Sequence, residues 1–256
     1  MRLQGSAILL LLSLSTATGA IPIDHGNFVG DAVTFEAVTE SGFGTPAVRA
    51  DRLEFFPSVF GVSGAGGVGD SDLATLSLAV TAASGSGIRS VGFAERGTYN
   101  LQGSGTAATL ARVTGSVSGE IIALDSGVLA SPISFSGDFE FSSASSLDGD
   151  FNLIDDVGLA VVWSGTLEID IDALVQAAGF TGAATVVNVH LDNVFTVQSE
   201  TGSLSLIAKN EFDINVTSSV ETGPGVIPEP RSWILMLVGI LVLATAGRRA
   251  KRGRNR

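Results

Sequence analysis

The sequence predicts an all-β fold, a sandwich or jelly-roll-like domain, on three observations. Apolar and polar residues alternate in several stretches, the period of a half-buried strand. Gly-, Ser- and Asp-rich turns separate those stretches at short intervals. Long runs at helical spacing are missing, which favours a sandwich over mixed folds.

The strands are legible in chain order. Val33, Phe35 and Ala37 mark the first, Leu53 to Phe56 the next, and Leu76, Leu78 and Val80 a third. Val91–Phe93, Gly105–Leu124, Ile133–Phe141 and Gly158–Trp163 follow. Over Thr166–Asp172, Leu167, Ile169 and Ile171 alternate with Glu168, Asp170 and Asp172. Val187, Val189, Leu191, Phe195 and Val197 repeat the period over Thr185–Gln198, and Phe212, Ile214 and Val216 close the set. Turns are expected at Gly64–Asp72, Ser84–Gly87 and Ser142–Asp150. Asp172–Phe180 is the short-helix candidate, because Ala173, Leu174, Ala177 and Ala178 share one helical face.

The two ends read differently. Met1-Arg2, an apolar core from Ala7 to Leu14 and small residues at Ala17 to Ala20 have the order of a secretory signal helix over 1–20. At the other end, Gly223, Pro224 and Gly225 form a spacer within 222–227. Pro228-Glu229-Pro230 follows, with Arg231 and then a charge-free run from Trp233 to Gly247. Fifteen helical residues span about 22 Å, short of the roughly 30 Å hydrocarbon core. Snorkelling Arg231 and Arg248, with Trp233 at the interface, extend that reach, so 233–247 is expected to be a single, marginal transmembrane helix. Arg248, Arg249 and the rest of the basic tail over 248–256 should stay cytoplasmic.

Charge divides the same way. Residues 21–227 hold six Lys and Arg against 25 Asp and Glu, a net charge near −19. So acidic a body excludes nucleic acid as a partner through phosphate contacts. Zero cysteines exclude disulfides, thiolate nucleophiles and Cys-ligated metals.

Pro-Glu-Pro, a Trp-containing apolar segment with Gly239 inside it, and an Arg-rich end resemble the PEP-CTERM sorting signal of Gram-negative bacteria. The resemblance covers about 30 of the 256 residues, and Arg231 stands where many members carry a small residue. It implies an exosortase substrate, with exosortase and signal peptidase as processing partners. It also implies transient tethering to the inner membrane, an extracellular body over 21–221, and hosts that make exopolysaccharide or biofilm. Segments such as Gly92–Tyr99 also resemble ectodomains of such sorted proteins.

Few residues of the body suggest chemistry. His25 and His190 are the two histidines, and His190 falls on the outward phase of its strand, expected to be solvated. Asp148, Asp150, Asp155 and Asp156 put four carboxylates within nine residues of an expected loop, an oxygen-rich setting for Ca²⁺. Their spacing fits no EF-hand, and a solvated acidic loop is the other reading. Glu168, Asp170 and Asp172 line one strand face, the residue type of glycoside hydrolysis but without a sign of burial. The sequence therefore points to an exported structural or interaction protein without a resident cofactor or enzymatic activity. A secreted carbohydrate- or calcium-binding module is the alternative, with a glycan-active enzyme third.

Overall fold

A computed structural model describes residues 21–57 and 60–220. In chain order the strands are β1 (Ile23–Val29), β2 (Val33–Ser41), β3 (Pro46–Arg49), β4 (Arg52–Phe55), β5 (Gly61–Ala65), β6 (Gly69–Ala82) and β7 (Ser86–Gly103). Then come β8 (Leu110–Leu124), β9 (Gly127–Asp138), β10 (Glu140–Ser143), β11 (Asp150–Asn152) and β12 (Gly158–Asp170). Helix α1 (Ile171–Ala177) leads to β13 (Ala184–Gln198) and β14 (Ser203–Val220).

All pairings are antiparallel, and they build two facing layers of one nearly closed sheet. In the first layer β13 is central, laddered along its length with β6 and β8; β2 and β1 extend one side, β9 and β11 the other. In the second, β7 is central between β12 and β14, with β10 beyond β12 and β4, β3 and β5 beyond β14. A single pair, Ala184 with Ile88, joins the layers. The expected all-β, sandwich-like body is therefore present. The expected signal helix, the spacer 222–227, the sorting motif and the 233–247 helix lie outside the described residues. Among the described residues, no helix is long and apolar enough to cross a membrane.

The alternation read from the sequence sets which face is buried. Val187, Val189, Leu191, Phe195 and Val197 of β13 point inward, as do Val91, Phe93, Tyr99 and Leu101 of β7. Aromatic contacts bridge the layers: Trp163 of β12 meets Phe195 edge-on at 5.6 Å, and Tyr99 stacks on Phe151 of β11 at 4.3 Å. Such pairs add to the area they bury.

Several boundaries differ from the sequence reading, each for a local reason. Gly158–Trp163 and Thr166–Asp172 are one strand, since β12 ladders with β7 past Ser164 and Gly165. The turn expected over 64–72 is shorter, because Asp70, Ser71 and Asp72 pair with Val197, Thr196 and Phe195. Strand β8 begins only at Leu110, because the Glu200 carboxylate gathers the Thr106 backbone N–H at 2.6 Å and the Thr109 hydroxyl at 3.0 Å into a turn. Helix α1 starts a residue early, since Asp170 accepts from the Ala173 N–H and caps it.

Gly97 in β7 is set by packing. A Cβ there would strike the Ala208 carbonyl of the neighbouring strand and the Trp163 indole. The absent side chain lets Trp163 lie over the backbone. Gly97→Ala is expected to destabilise the body by about 1–3 kcal/mol, the usual cost of overpacking. Chemical denaturation against wild type measures this, and an unchanged midpoint would contradict the packing account.

Candidate functional site

Two polar constellations stand out, one on a surface and one in the core. The surface one crosses the outward face of the β13 layer. A cleft of about 640 Å³ is floored there by Ala37, Ser77, Ser118, Glu120, Asn188 and His190, from β2, β6, β8 and β13. Alternation puts these residues outward, and the short side chains of Ala37, Ser77 and Ser118 leave the hollow. Ser77 sits directly opposite His190 across the β6–β13 ladder. Its Oγ lies 2.7 Å from His190 Nδ1, and the ring's Nε2 lies 3.3 Å from an Asp192 carboxylate oxygen.

Serine, imidazole and carboxylate in a row are the parts of a nucleophilic relay, but the surroundings argue for binding. The backbone around Ser77 is laddered on both sides, to β2 and β13, so no pair of free N–H groups is turned toward an oxyanion. The imidazole is 48% exposed, in keeping with the outward position read from the sequence. The cleft presents a row of hydroxyl, amide, imidazole and carboxylate groups set among apolar walls from Ala37, Leu78, Phe135 and Val189. Such a row suits a hydroxyl-rich ligand.

The core constellation was not anticipated. Glu95 of β7, Lys209 of β14 and Asn193 of β13 all point inward. The Glu95 and Lys209 side chains are fully buried, and Asn193 likewise. Lys209 Nζ lies 2.6 Å from Glu95 Oε2. Asn193 Nδ2 donates to Glu95 Oε1 at 2.8 Å and to the Thr114 carbonyl at 3.3 Å. The rings of Phe43, Phe212, Phe60 and Phe195 surround Nζ, with centroids 4.1, 5.1, 5.7 and 5.8 Å away.

The 2.6 Å approach is a close, fully buried ion pair. Nζ and Oε2 have no hydrogen-bond partner among protein atoms beyond each other, and Asn193 Oδ1 and Trp163 Nε1 have none. Burial pushes the Glu95 carboxyl up and the Lys209 ammonium down; their mutual attraction opposes both shifts without reversing them. The sequence signal was present but faint. In β7 and β13 the inward phase of apolar residues is interrupted once by Glu95 and once by Asn193. In β14, an irregularity between Lys209 and Glu211 shifts the phase, so Lys209 and Phe212 both face inward.

The four aspartates considered for calcium are held separately. Asp148 accepts from the Ser146 hydroxyl and the Asp150 N–H, which hold its carboxyl below the usual range. Asp150 pairs with Arg112. Asp155 accepts from Asn152 Nδ2, while buried Asp156 accepts from the Asn152 N–H and the Ser145 hydroxyl. Among the described residues, no three His, Asp or Glu side chains come together as a metal site. Glu168, Asp170 and Asp172 do not act as a set either: Asp170 caps α1 and Asp172 pairs with Arg89 at 2.9 Å. Pro228, Glu229, Pro230, Arg231, Trp233, Arg248 and Arg249 lie outside the described residues.

No family model matches the sequence, and no curated protein matches it. Among the solved structures that align with the chain is the family 11 xylanase from Neocallimastix patriciarum, 11% identical over 77% of this chain and 99% of that one, with a TM-score of 0.20. Another is the Trichoderma harzianum endoglucanase 3 from family GH12, at 10% identity over 79% and 100%, TM-score 0.23. A family 12 xyloglucanase from Bacillus licheniformis matches at 11% over 77% and 99%, TM-score 0.20. Scores of this size establish neither a shared fold nor a shared activity.

On the outer face of the β7 layer, Arg52 gathers three carboxylates: Asp213 at 2.6 Å, Glu54 at 3.4 Å and Glu211 at 3.9 Å. Burial nevertheless holds the Asp213 carboxyl above its usual value. Arg52→Leu is expected to cost about 1 kcal/mol at neutral pH, a modest figure because Arg52 is partly exposed. Without Arg52, Asp213 rises further. A carboxyl raised in the folded state destabilises above its folded pKa. The deficit should therefore shrink as pH falls through that value and vanish below about 4, the ordinary carboxylate range. Urea midpoints of both proteins from pH 7 to acid would show this, and a constant deficit would contradict it.

Proposed function

We propose that the chain is an exported, exosortase-processed protein of the cell surface or extracellular matrix, with a structural or interaction role and no catalytic activity. The observation that carries the reading is the order of parts along the chain. Strand β14 runs to Val220, and the Gly223-Pro224-Gly225 spacer and Pro228-Glu229-Pro230 follow within a few residues. Two prolines in this motif remove backbone donors and disfavour helix and sheet, which suits a motif read as an extended peptide by a membrane-embedded processing enzyme. Glu229 is its single charged recognition mark. The acidic body favours solubility in the exported state.

Mass spectrometry of the protein from its native host tests this. The mature C-terminus is expected near the motif, and Glu229→Ala should retain the tail. A wild-type chain ending in Arg256 would leave a plain membrane anchor in place of a sorted protein.

A binding role has its own support in the Ser77–His190 cleft, whose polar groups among apolar walls suit an exopolysaccharide. On a glycan array the mature protein is expected to bind acid-poor, hydroxyl-rich glycans, because Glu120 and Asp192 repel anionic sugars. His190→Ala should weaken that binding at least several-fold with an unchanged melting temperature. Equal binding by wild type and variant would remove the cleft from consideration.

A further inference from the structure

We propose that the buried Glu95–Lys209–Asn193 cluster is a self-modifying site, in which Lys209 Nζ and Asn193 Cγ become joined by an intramolecular isopeptide bond with Glu95 as proton relay. The inference stands apart from the sorting and glycan-binding readings.

The geometry is that of reactants. One carboxylate holds the amine on Oε2 at 2.6 Å and the amide nitrogen on Oε1 at 2.8 Å, so nucleophile and leaving group flank the same proton carrier. Holding reacting groups together in this way replaces a bimolecular encounter. Four phenylalanine rings exclude water from Nζ. Desolvation favours the neutral amine and the neutral carboxylic acid, the forms that acyl transfer from an amide requires. The Asn193 Oδ1 atom has no partner among protein atoms, and a protonated Glu95 lies against the amide nitrogen, the leaving group of the reaction.

An ion pair kept only for structure would be expected to satisfy its hydrogen bonds, since unmet buried charges are costly. Here Nζ and Oε2 meet only each other, at 2.6 Å, and no further hydrogen-bond partner among protein atoms supports either one. Condensation resolves this by replacing the buried amine with a neutral amide.

The step balances without any other reagent. A proton passes from the Lys209 ammonium to Glu95, leaving the amine lone pair to attack Asn193 Cγ. The Nζ–Cγ bond forms while the Glu95 acid protonates the amide. The Cγ–Nδ2 bond then breaks, and ammonia leaves as Glu95 takes one of the two protons on Nζ and regains its acid form, the other staying as the N–H of the new amide. Asn193 and Lys209 lie on consecutive strands of opposite layers, so the new bond ties the layers together. In a chain with no cysteine, it supplies a covalent cross-link of the kind disulfides provide elsewhere.

Digestion of the folded, full-chain protein with a Glu-specific protease tests the bond. Cleavage after Glu168, Glu200 and Glu211 separates a peptide containing Asn193, residues 169–200, from one containing Lys209, residues 201–211. The expected product is one branched species, lighter than the two peptides together by one ammonia. Recovery of the two separate peptides, with a free Lys209 amine, would overturn the proposal. Glu95→Gln keeps the side-chain shape and removes the relay, so its peptides should be recovered unlinked; a linked Glu95→Gln protein would overturn the role of Glu95. The wild-type digest decides the bond whether or not that variant folds.

Discussion

The constraint on which this fold most depends is the burial of an acid, an amine and an amide between two aromatic-lined layers. Glu95 and Lys209 come from neighbouring strands of one layer, and Asn193 reaches across from the other. Breaking such a buried pair by removing one partner costs about 3–5 kcal/mol, a large share of a domain's net stability. The layers must therefore meet in the one register that brings the three together. The phase shift in β14 serves this, turning Lys209 inward and passing the inward phase on to Phe212. The surrounding phenylalanine rings deprive the charged forms of water.

The same arrangement shows how a body without cysteine is held together. Its strands are long, and the central ones are laddered on both sides, which leaves few frayed hydrogen bonds. Its surface carries the acidic excess, with Arg52, Arg89 and Arg112 each held against carboxylates. A cross-link between Asn193 and Lys209 would constrain the unfolded chain as well as the folded one. Durability, an acidic surface and a polar cleft are consistent with a matrix or surface role.

Much of the fold was legible because alternation is a local property. Val187 to Val197 in β13 announced both the strand and its buried face, and the outward place of His190 followed from the same period. Boundaries were less legible, since they depend on partners distant in sequence. The Gly- and Asp-rich start of β6 resembles a turn until β13 is laid beside it, and the Thr106–Thr109 turn depends on Glu200. Sequence spacing left the aspartates Asp148 to Asp156 open between a calcium loop and a solvated acidic loop; the structure adds their donors, Ser146, Arg112 and Asn152, which lie nearby in space.

By itself the sequence determined the all-β class, the faces of the principal strands, the acidic excess and the signal-and-tail pattern on which the sorting proposal rests. All of these are written in composition, period and order. Only the tertiary structure decided that Glu95, Asn193 and Lys209 share one pocket, and that Ser77 meets His190. Each is an isolated polar residue in its own segment, and its role depends on which strand comes to lie opposite. Sequence spacing does not carry that information; the packing of the two layers does.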